Sequence, residues 1–454
     1  MAASKPPWQR FLDRVLACDF CTASLPSDPA WTAMRAALEK AGQSHVLTPP
    51  PPPEKAASFL AQLQAVDLAN LSAMFEGSMK QAAAHGSAAI EPLADVTRLA
   101  DLGGKRAASL RAEGLGLIAD GRVAAVLLAG GQGTRLGSDA PKGCYDIGLP
   151  SRKSLFQYHA ERIASVKALA AAHKGVAADA VRLRLYVMTS AATDAETRAF
   201  FEAVRGLARA IRRRAIRRRA ILRRAILRRA IRLTTPTRAP QHGCFGLPAA
   251  DVRFFEQGTL PALSSDGKLL RAAPGELVSA PNGNGAMYVA LRDSGALAQL
   301  EADGVSGLFQ FSVDNALCHV ADPTFLGFCH SQKAECAALT VPKLHPHEPV
   351  GVLARSGGRP AVVEYSELSE EMKVATDKKG RLLYSAAHIC INYFSIPFIR
   401  RFVDDELVRR APPPCATRHR SPASECMHTA RRRARCRSTW RRRRSRASTR
   451  RARS

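Results

Sequence analysis

The sequence predicts an α/β protein built on a doubly wound, mainly parallel sheet, and three observations carry that expectation. An apolar run, Val123–Ala129, has the length of a buried strand and breaks abruptly into Gly130, Gly131 and Gly133. After Ser154, the residues Leu155, Tyr158, Ile163, Val166 and Leu169 recur at roughly helical spacing. Leu183–Met188 reads as the next strand and is followed by Thr193-Asp-Ala-Glu196, a capping-box pattern opening a helix through Val204. Strand, helix, strand, helix is the order of a sheet covered by helices on both faces.

The flanking elements follow in order. Residues 1–45 carry helical patterning, and Pro49–Pro53 reads as a stiff extended spacer. Residues 54–118 are Ala/Leu-rich and read as several helices, one around Ala57–Phe75, with turns at Gly103-Gly104 and Gly114. Residues 1–118 are thus expected to form a helical N-terminal lobe, and 119–405 the α/β domain. Within that domain, Val252–Phe255 reads as a strand followed by Glu256-Gln257-Gly258. Pro281-Asn-Gly-Asn-Gly285 reads as a tight turn before a helix from about Met287. Gly307–Val313 reads as a strand ending in Asp314-Asn315, with further strands at Ala361–Ser366 and Ile389–Phe394.

The net charge of +28 suggests a nucleic-acid binder until its distribution is examined. Residues 205–232 hold thirteen Arg and no acid, and 411–454 hold fifteen Arg and one acid, Glu425. Without those two segments the remaining chain is nearly neutral. In the first segment Ala-Ile recurs every five residues from 210 to 231. Five residues turn a helix about 140° beyond a full turn, so no constant apolar face results. Residues 205–240 are therefore expected to be a low-complexity Arg insertion, and 406–454 a disordered basic tail. A nucleic-acid-binding arm is the competing reading; Trp440 is the one aromatic in either segment, so stacking partners are scarce.

Eleven Cys are scattered along the chain, which suits a reducing compartment. The lone Cys18-Asp-Phe-Cys21 lacks the second ligand pair that zinc requires. No run of 18 apolar residues predicts a membrane-spanning helix, and the N-terminus has no apolar leader core; a cytosolic protein is expected.

The glycine loop after the first strand is followed by Arg135 and Lys142. Glycines let backbone N–H groups converge on an anion, and the two cations would neutralise it. A Walker A loop would need Gly-Lys-Ser/Thr, which is missing. A dinucleotide fingerprint would need a third Gly where Leu136 stands. What does match is L-A-G-G-x-G-T-R-L-G followed by P-K-G, a nucleotidyltransferase loop.

With that loop, Val126–Phe156 closely resembles the eukaryotic UDP-N-acetylglucosamine pyrophosphorylases. The likeness continues through F-F-E-Q-G-T-L-P-A-L (254–263), P-N-G-N-G (281–285), V-D-N (313–315), D-P-T-F-L-G-F-C (322–329), E-P-V-G-V (348–352) and V-V-E-Y-S-E-L (362–368). It spans about 55–405, without 205–240. The resemblance implies a Rossmann-like nucleotidyltransferase domain of GT-A type and transfer of uridylyl from UTP to N-acetylglucosamine 1-phosphate, with Mg²⁺. It implies that Leu128, Ala129, Gly130 and Gly131 wrap the nucleotide. Arg135 would sit on the leaving pyrophosphate, and Lys142 near the α-phosphate. Gln257 and Gly283 would meet uracil, and Asp314 would help hold Mg²⁺. Asn284, Glu364 and Tyr365 would bind the sugar. His388 stands where the family usually has Asn for the sugar. The family also continues past 405 into a β-rich lobe with two lysine-bearing motifs, neither of which occurs in 406–454; this chain is therefore expected to lack that lobe and to be impaired. A UDP-glucose or broader UDP-sugar pyrophosphorylase is the alternative enzyme.

Overall fold

The computed structural model describes residues 28–87, 89–93, 96–133, 137–138, 140–204 and 244–410. The Arg-rich insertion at 205–240, the tail from 411, Cys18, Cys21 and Arg135 lie outside them. The described residues up to Val403 form one compact unit; those from Asp404 belong to a second, of which 404–410 are the end of a helix.

Helices α1 (Pro29–Lys40), α2 (Pro53–Gln64) and α3 (Leu71–Ser87) precede a short strand β1 (Ile90–Pro92) and helix α4 (Gly103–Ala119). Strand β2 (Val123–Leu128), helix α5 (Leu155–Lys174), strand β3 (Arg184–Thr189) and a helix α6 over 194–204 follow. After β4 (Val252–Glu256), an excursion carries β5 (Thr259–Pro261), β6 (Arg271–Ala273), β7 (Glu276–Leu277) and β8 (Ser279–Pro281). Helices α7 (Met287–Asp293) and α8 (Ala296–Ala302) lead to β9 (Gly307–Ser312) and α9 (Pro323–Ser331). The remainder is β10 (Cys336–Pro342), β11 (Val352–Ser356), β12 (Arg359–Val363), α10 (Glu370–Val374), β13 (Ala386–Ser395) and α11 (Ile396–Arg410).

The main sheet runs β1-β11-β13-β9-β2-β3-β4, with β10 added to β13 and β12 to β11. Strands β9, β2, β3 and β4 are parallel, and β13 joins β9 antiparallel. Every residue of β2 is buried, as a central parallel strand requires. Alternate residues serve opposite faces. Val123, Ala125 and Leu127 pack with Phe309 and Phe311 under α4, α5 and α9, through Ile118, Ile163 and Leu326. Ala124 and Val126 pack with Tyr186 and Leu308 under α7, α8 and α11, through Leu291, Leu300 and Ile399. The α/β class with helices on both faces is thus observed.

The N-terminal helices form a third core with the excursion: Trp31, Leu38, Phe59 and Leu63 bury Leu269 and Leu277. Polar groups fix the register between them. Gln43 Oε1 accepts from Leu269 N–H (2.9 Å), Gln62 Oε1 from Leu277 N–H (3.0 Å), and Lys268 Nζ donates to Gly42 O (2.7 Å).

Four local expectations change. The helix expected at Ala57–Phe75 is two helices, parted where Asp67 carboxylate oxygens accept from Asn70 N–H (3.3 Å) and Nδ2 (2.9 Å). Gly103, Gly104 and Gly114 lie in α4 rather than in turns. Gly114 is there for proximity: a Cβ on it would stand 1.8 Å from Pro323 O, and one on Gly327 of α9 would stand 1.9 Å from Leu110 O. The strand expected over Ala361–Ser366 stops at Val363, because Glu367 N–H turns back to Glu364 O (2.9 Å). Residues 406–410, expected in the tail, are helical.

The α4–α9 contact predicts opposite outcomes for two glycines. Gly327→Ala forces the helix backbones apart and costs about 2 kcal/mol. Gly116→Ala, on the facing helix α4 but with nothing within 4 Å of its Cβ position, gains up to about 1 kcal/mol from helix propensity. Urea-unfolding midpoints check both; equal midpoints for the two variants contradict the close packing.

Candidate active site

The strand order reverses at β2. From β2 the chain steps to β3 and β4 on one side, then returns to β9 on the other. In open parallel sheets a ligand crevice forms at the carboxyl ends of the strands flanking such a switch point. Here those ends are Leu128 and Ser312, which are register partners.

Past β2, Ala129 N–H donates to Met188 O (2.8 Å) and Ser190 Oγ donates to Gly130 O (2.8 Å), so the loop leans on the end of β3. A Cβ on Gly130 would stand 2.2 Å from Gln257 Nε2, so the amide packs directly against the loop and would have to move for any larger residue. Gln257 follows β4, and its N–H donates to Thr189 O (2.9 Å). Its side chain is buried, and its Oε1 has no partner among the described residues. A buried acceptor without a donor is costly, and a ligand N–H placed there would satisfy it.

On the opposite wall, Lys142 lies along Gly131, and its N–H donates to Gly131 O (3.2 Å). Its Nζ donates to Asp314 Oδ2 at 3.0 Å. Ser312 Oγ donates to Asp314 Oδ1 at 2.5 Å. Burial opposes ionisation of Asp314, but the Ser312 hydroxyl and the Lys142 ammonium outweigh it and hold the carboxyl below its ordinary range. Behind this pair stands His159 of α5, fully buried. Its Nε2 is 2.9 Å from Val313 O, so Nε2 carries the proton. Burial, with a smaller push from Arg162, lowers His159 to about 4 against the opposing Val313 hydrogen bond and Asp314 charge. Among the described residues, His159 Nδ1 has no partner.

A second polar group lies on β13. Gly283 adopts φ 75°, ψ −177°, a region open to glycine, and delivers Asn284 into a short turn before α7. Asn284 Nδ2 reaches Cys390 Sγ at 3.9 Å, and Gln310 Nε2 reaches the same sulfur at 3.5 Å. Cys390 has φ 56° and sits where the β10–β13 register slips between Ile391 and His388. Asn392 Nδ2 donates to Gln310 Oε1 (2.6 Å), and Asn392 Oδ1 is 3.0 Å from His388 Nε2. His388 N–H donates to Gly351 O (2.9 Å), and Glu364 lies beside Gly351, so these two residues flank one backbone position.

Of the residues singled out in the sequence, the structure brings Leu128–Gly131, Lys142, Gln257 and Asp314 to one crevice. Asn284 and His388 are linked through the β13 network. Tyr365 is exposed, with no hydrogen bond to the others among the described residues. Ser190, Ser312, Gln310, Asn392, Cys390 and His159 carry the site's hydrogen bonds and had no motif to mark them. Ser312 alone had a positional signal, two residues before the Asp that ends its strand.

The fold and the crevice define a doubly wound α/β protein with its polar groups gathered at the switch point of the sheet. The chain belongs to the family described as UTP--glucose-1-phosphate uridylyltransferase, whose model matches residues 83–214 and 245–411. It is 39% identical over 298 residues to a probable UDP-N-acetylglucosamine pyrophosphorylase of Dictyostelium discoideum, covering 65% of this chain and 53% of that protein. It is 40% identical over 293 residues to UDP-N-acetylglucosamine diphosphorylase 2 of Arabidopsis thaliana, covering 63% and 51%. The chain thus spans about half the length of these curated relatives. Among solved structures, the uridine diphosphate N-acetylglucosamine pyrophosphorylase of Trypanosoma brucei superposes with a TM-score of 0.66 at 30% identity, covering 85% of this chain and 70% of that one.

The neutral, buried His159 predicts a specific acid sensitivity. Its folded pKa lies below the ordinary value of 6.5, so the unfolded chain takes up the proton first as pH falls. Its contribution is complete above about pH 6.5 and is lost towards about 4. Between pH 7 and 4.5 the parent therefore loses about 2–3 kcal/mol more unfolding free energy than His159→Gln. Urea titrations at the two pH values measure this; parallel losses contradict it.

Proposed function

We propose that the chain is the nucleotide-binding body of a uridylyltransferase that forms UDP-N-acetylglucosamine and pyrophosphate from UTP and N-acetylglucosamine 1-phosphate. The observation that carries this reading is Gln257, an amide packed on the glycine loop with its acceptor unfilled among the described residues. Uracil offers an N–H donor at the position a base would take against that acceptor. The names of the relatives at 39% and 40% identity support the amino-sugar substrate.

In this reading a sugar phosphate oxygen attacks the α-phosphorus in line. The new O–P bond forms as the bond to pyrophosphate breaks, and the electron pair leaves with pyrophosphate. No covalent bond to protein is needed, so the residues position and neutralise. Leu128, Ala129, Gly130 and Gly131 bring backbone to the nucleotide, and Gly283 lets it approach the base. Lys142 transfers its hydrogen bond from Asp314 to the α-phosphate, and Arg135 takes the leaving pyrophosphate. Asn284, His388, Glu364 and Tyr365 face the sugar.

Asp314 fits Mg²⁺ as a single protein ligand. It is held ionised and is half-exposed. No group of three His, Cys, Asp or Glu side chains forms a metal cage among the described residues. That suits an ion taking its other ligands from phosphate oxygens and water. When bound, Mg²⁺ supplies charge neutralisation across the reacting phosphates.

We read the α/β body as a Rossmann-like GT-A-type domain in a cytosolic protein; the helical lobe expected over 1–118 is narrower, because β1 joins the main sheet and α4 packs on its core face. Among the described residues no helix is long and apolar enough to cross a membrane. The resemblance expects further lysines from a C-terminal β-rich lobe, so the assay includes a form extended by such a segment.

Pyrophosphate release from UTP, Mg²⁺ and sugar 1-phosphates tests the reading. Turnover with N-acetylglucosamine 1-phosphate ahead of glucose 1-phosphate is expected, in the extended form if the chain alone is idle. Faster turnover of glucose 1-phosphate moves the assignment to UDP-glucose; no turnover in either form contradicts it. Gln257→Leu removes an unpartnered acceptor, so the fold keeps its stability while the KM for UTP rises about tenfold. An unchanged KM removes Gln257 from the base site.

A further inference from the structure

Asp314 can act on a phosphate-bound cation only if its backbone is fixed, and the structure holds that backbone from both sides at the preceding residue. Val313 N–H donates to Leu128 O (3.1 Å), which ties the end of β9 to the end of β2. Val313 O accepts from His159 Nε2 (2.9 Å), which ties the next peptide group, the one leading into Asp314, to α5. The imidazole cannot swing away. It is fully buried, and its ring stands edge-on to Phe311 with centroids 5.1 Å apart. α5 is itself anchored at its start by Ser154, whose Oγ accepts from Gln157 N–H (3.2 Å), and further along by the buried Lys167–Asp251 pair at 2.8 Å.

Burying this ring is not what an apolar core would select. His159 Nδ1 and Arg162 Nη1, one turn apart on α5, are both buried without a hydrogen-bond partner among the described residues. An aliphatic side chain at 159 would avoid the unsatisfied nitrogen. What it could not do is donate to Val313 O.

We infer that His159 is a positioning residue for the nucleotide site: its Nε2–H fixes the Val313 carbonyl and thereby aims the Asp314 carboxylate. The inference rests on the proposed role of Asp314 for its metal arm and on the hydrogen bond alone for its structural arm. A donor is what the role requires, so Gln, whose amide reaches the same carbonyl, preserves it. Leu, similar in bulk, abolishes it.

The test uses the full chain, as parent, His159→Gln, His159→Leu and Ile163→Val, the last a buried aliphatic control one turn further along the same helix, with no donor to offer Val313 O. Hydrogen exchange over 308–316 reads the structural arm without any ligand. His159→Leu is expected to exchange at least tenfold faster there, with His159→Gln and Ile163→Val within threefold of the parent. Mn²⁺ binding in the presence of UTP, followed by electron paramagnetic resonance, reads the metal arm; the dissociation constant for His159→Leu is expected to rise five- to twentyfold and that of His159→Gln less than threefold. Unchanged exchange in His159→Leu overturns the inference. So does equal loss in His159→Gln and His159→Leu, or the same change in Ile163→Val, because then packing alone matters. A parent that binds no Mn²⁺ with UTP contradicts the role given to Asp314, while the exchange pattern still decides whether His159 holds Val313.

Discussion

The parallel pairing of β2 with β9 is the constraint on which the rest depends. Leu128 and Ser312 lie far apart in sequence, and the register sets them side by side at the carboxyl edge of the sheet. The glycine loop that leaves β2 and the Asp that follows β9 then share a crevice without any further device. A slip of one residue would turn every β9 side chain to the opposite face and exchange the two cores. The alternation of Leu308 with Phe309 and Phe311, each fully buried against a different helical layer or neighbour, forbids that slip. The site geometry is therefore fixed by core packing, and the polar groups inherit it.

Those polar groups are left in states that folding alone would not favour. Among the described residues Gln257 buries an acceptor without a donor, and Lys142 and Asp314 meet in a half-exposed pair that contributes little to stability. Both arrangements make sense if a ligand completes them: a base for the amide and a phosphate for the ammonium. Departures from locally optimal chemistry gather where function is expected, and here they gather at the switch point. The N-terminal helices bear on the same region indirectly. They grip the 259–281 excursion, which Gln257 precedes and Gly283 follows, so their packing supports the wall on which a base would rest.

Much of this was legible in the sequence, for identifiable reasons. Buried parallel strands write themselves as short apolar runs, so β2, β3 and β9 are legible to within a residue or two; β4, at the edge with Arg253 exposed, is marked by Val252, Phe254 and Phe255 instead. Glycine loops and strand-end acids are likewise written locally. The failures have a common cause. Gly114 looks like a turn because nothing in the sequence reveals that Pro323 presses against it across α4 and α9. Cys390 and Asn392 acquire their roles from a register slip in β13, and a slip leaves no mark on composition. His159 reads as one more residue on a helix until the fold sets it under Val313. Contacts between distant segments decide these cases, and a single sequence does not display them.

The central claim is that the crevice at the β2–β9 switch point recognises uridine nucleotide through the unfilled acceptor of Gln257. Calorimetric titration of the full chain with UTP and with CTP, each with Mg²⁺, tests it most directly. Uracil presents an N–H where cytosine presents a lone pair, and two acceptors facing one another repel. Saturable UTP binding at least tenfold tighter than CTP, about 1.4 kcal/mol or more, is expected. Equal affinity for the two nucleotides would contradict it.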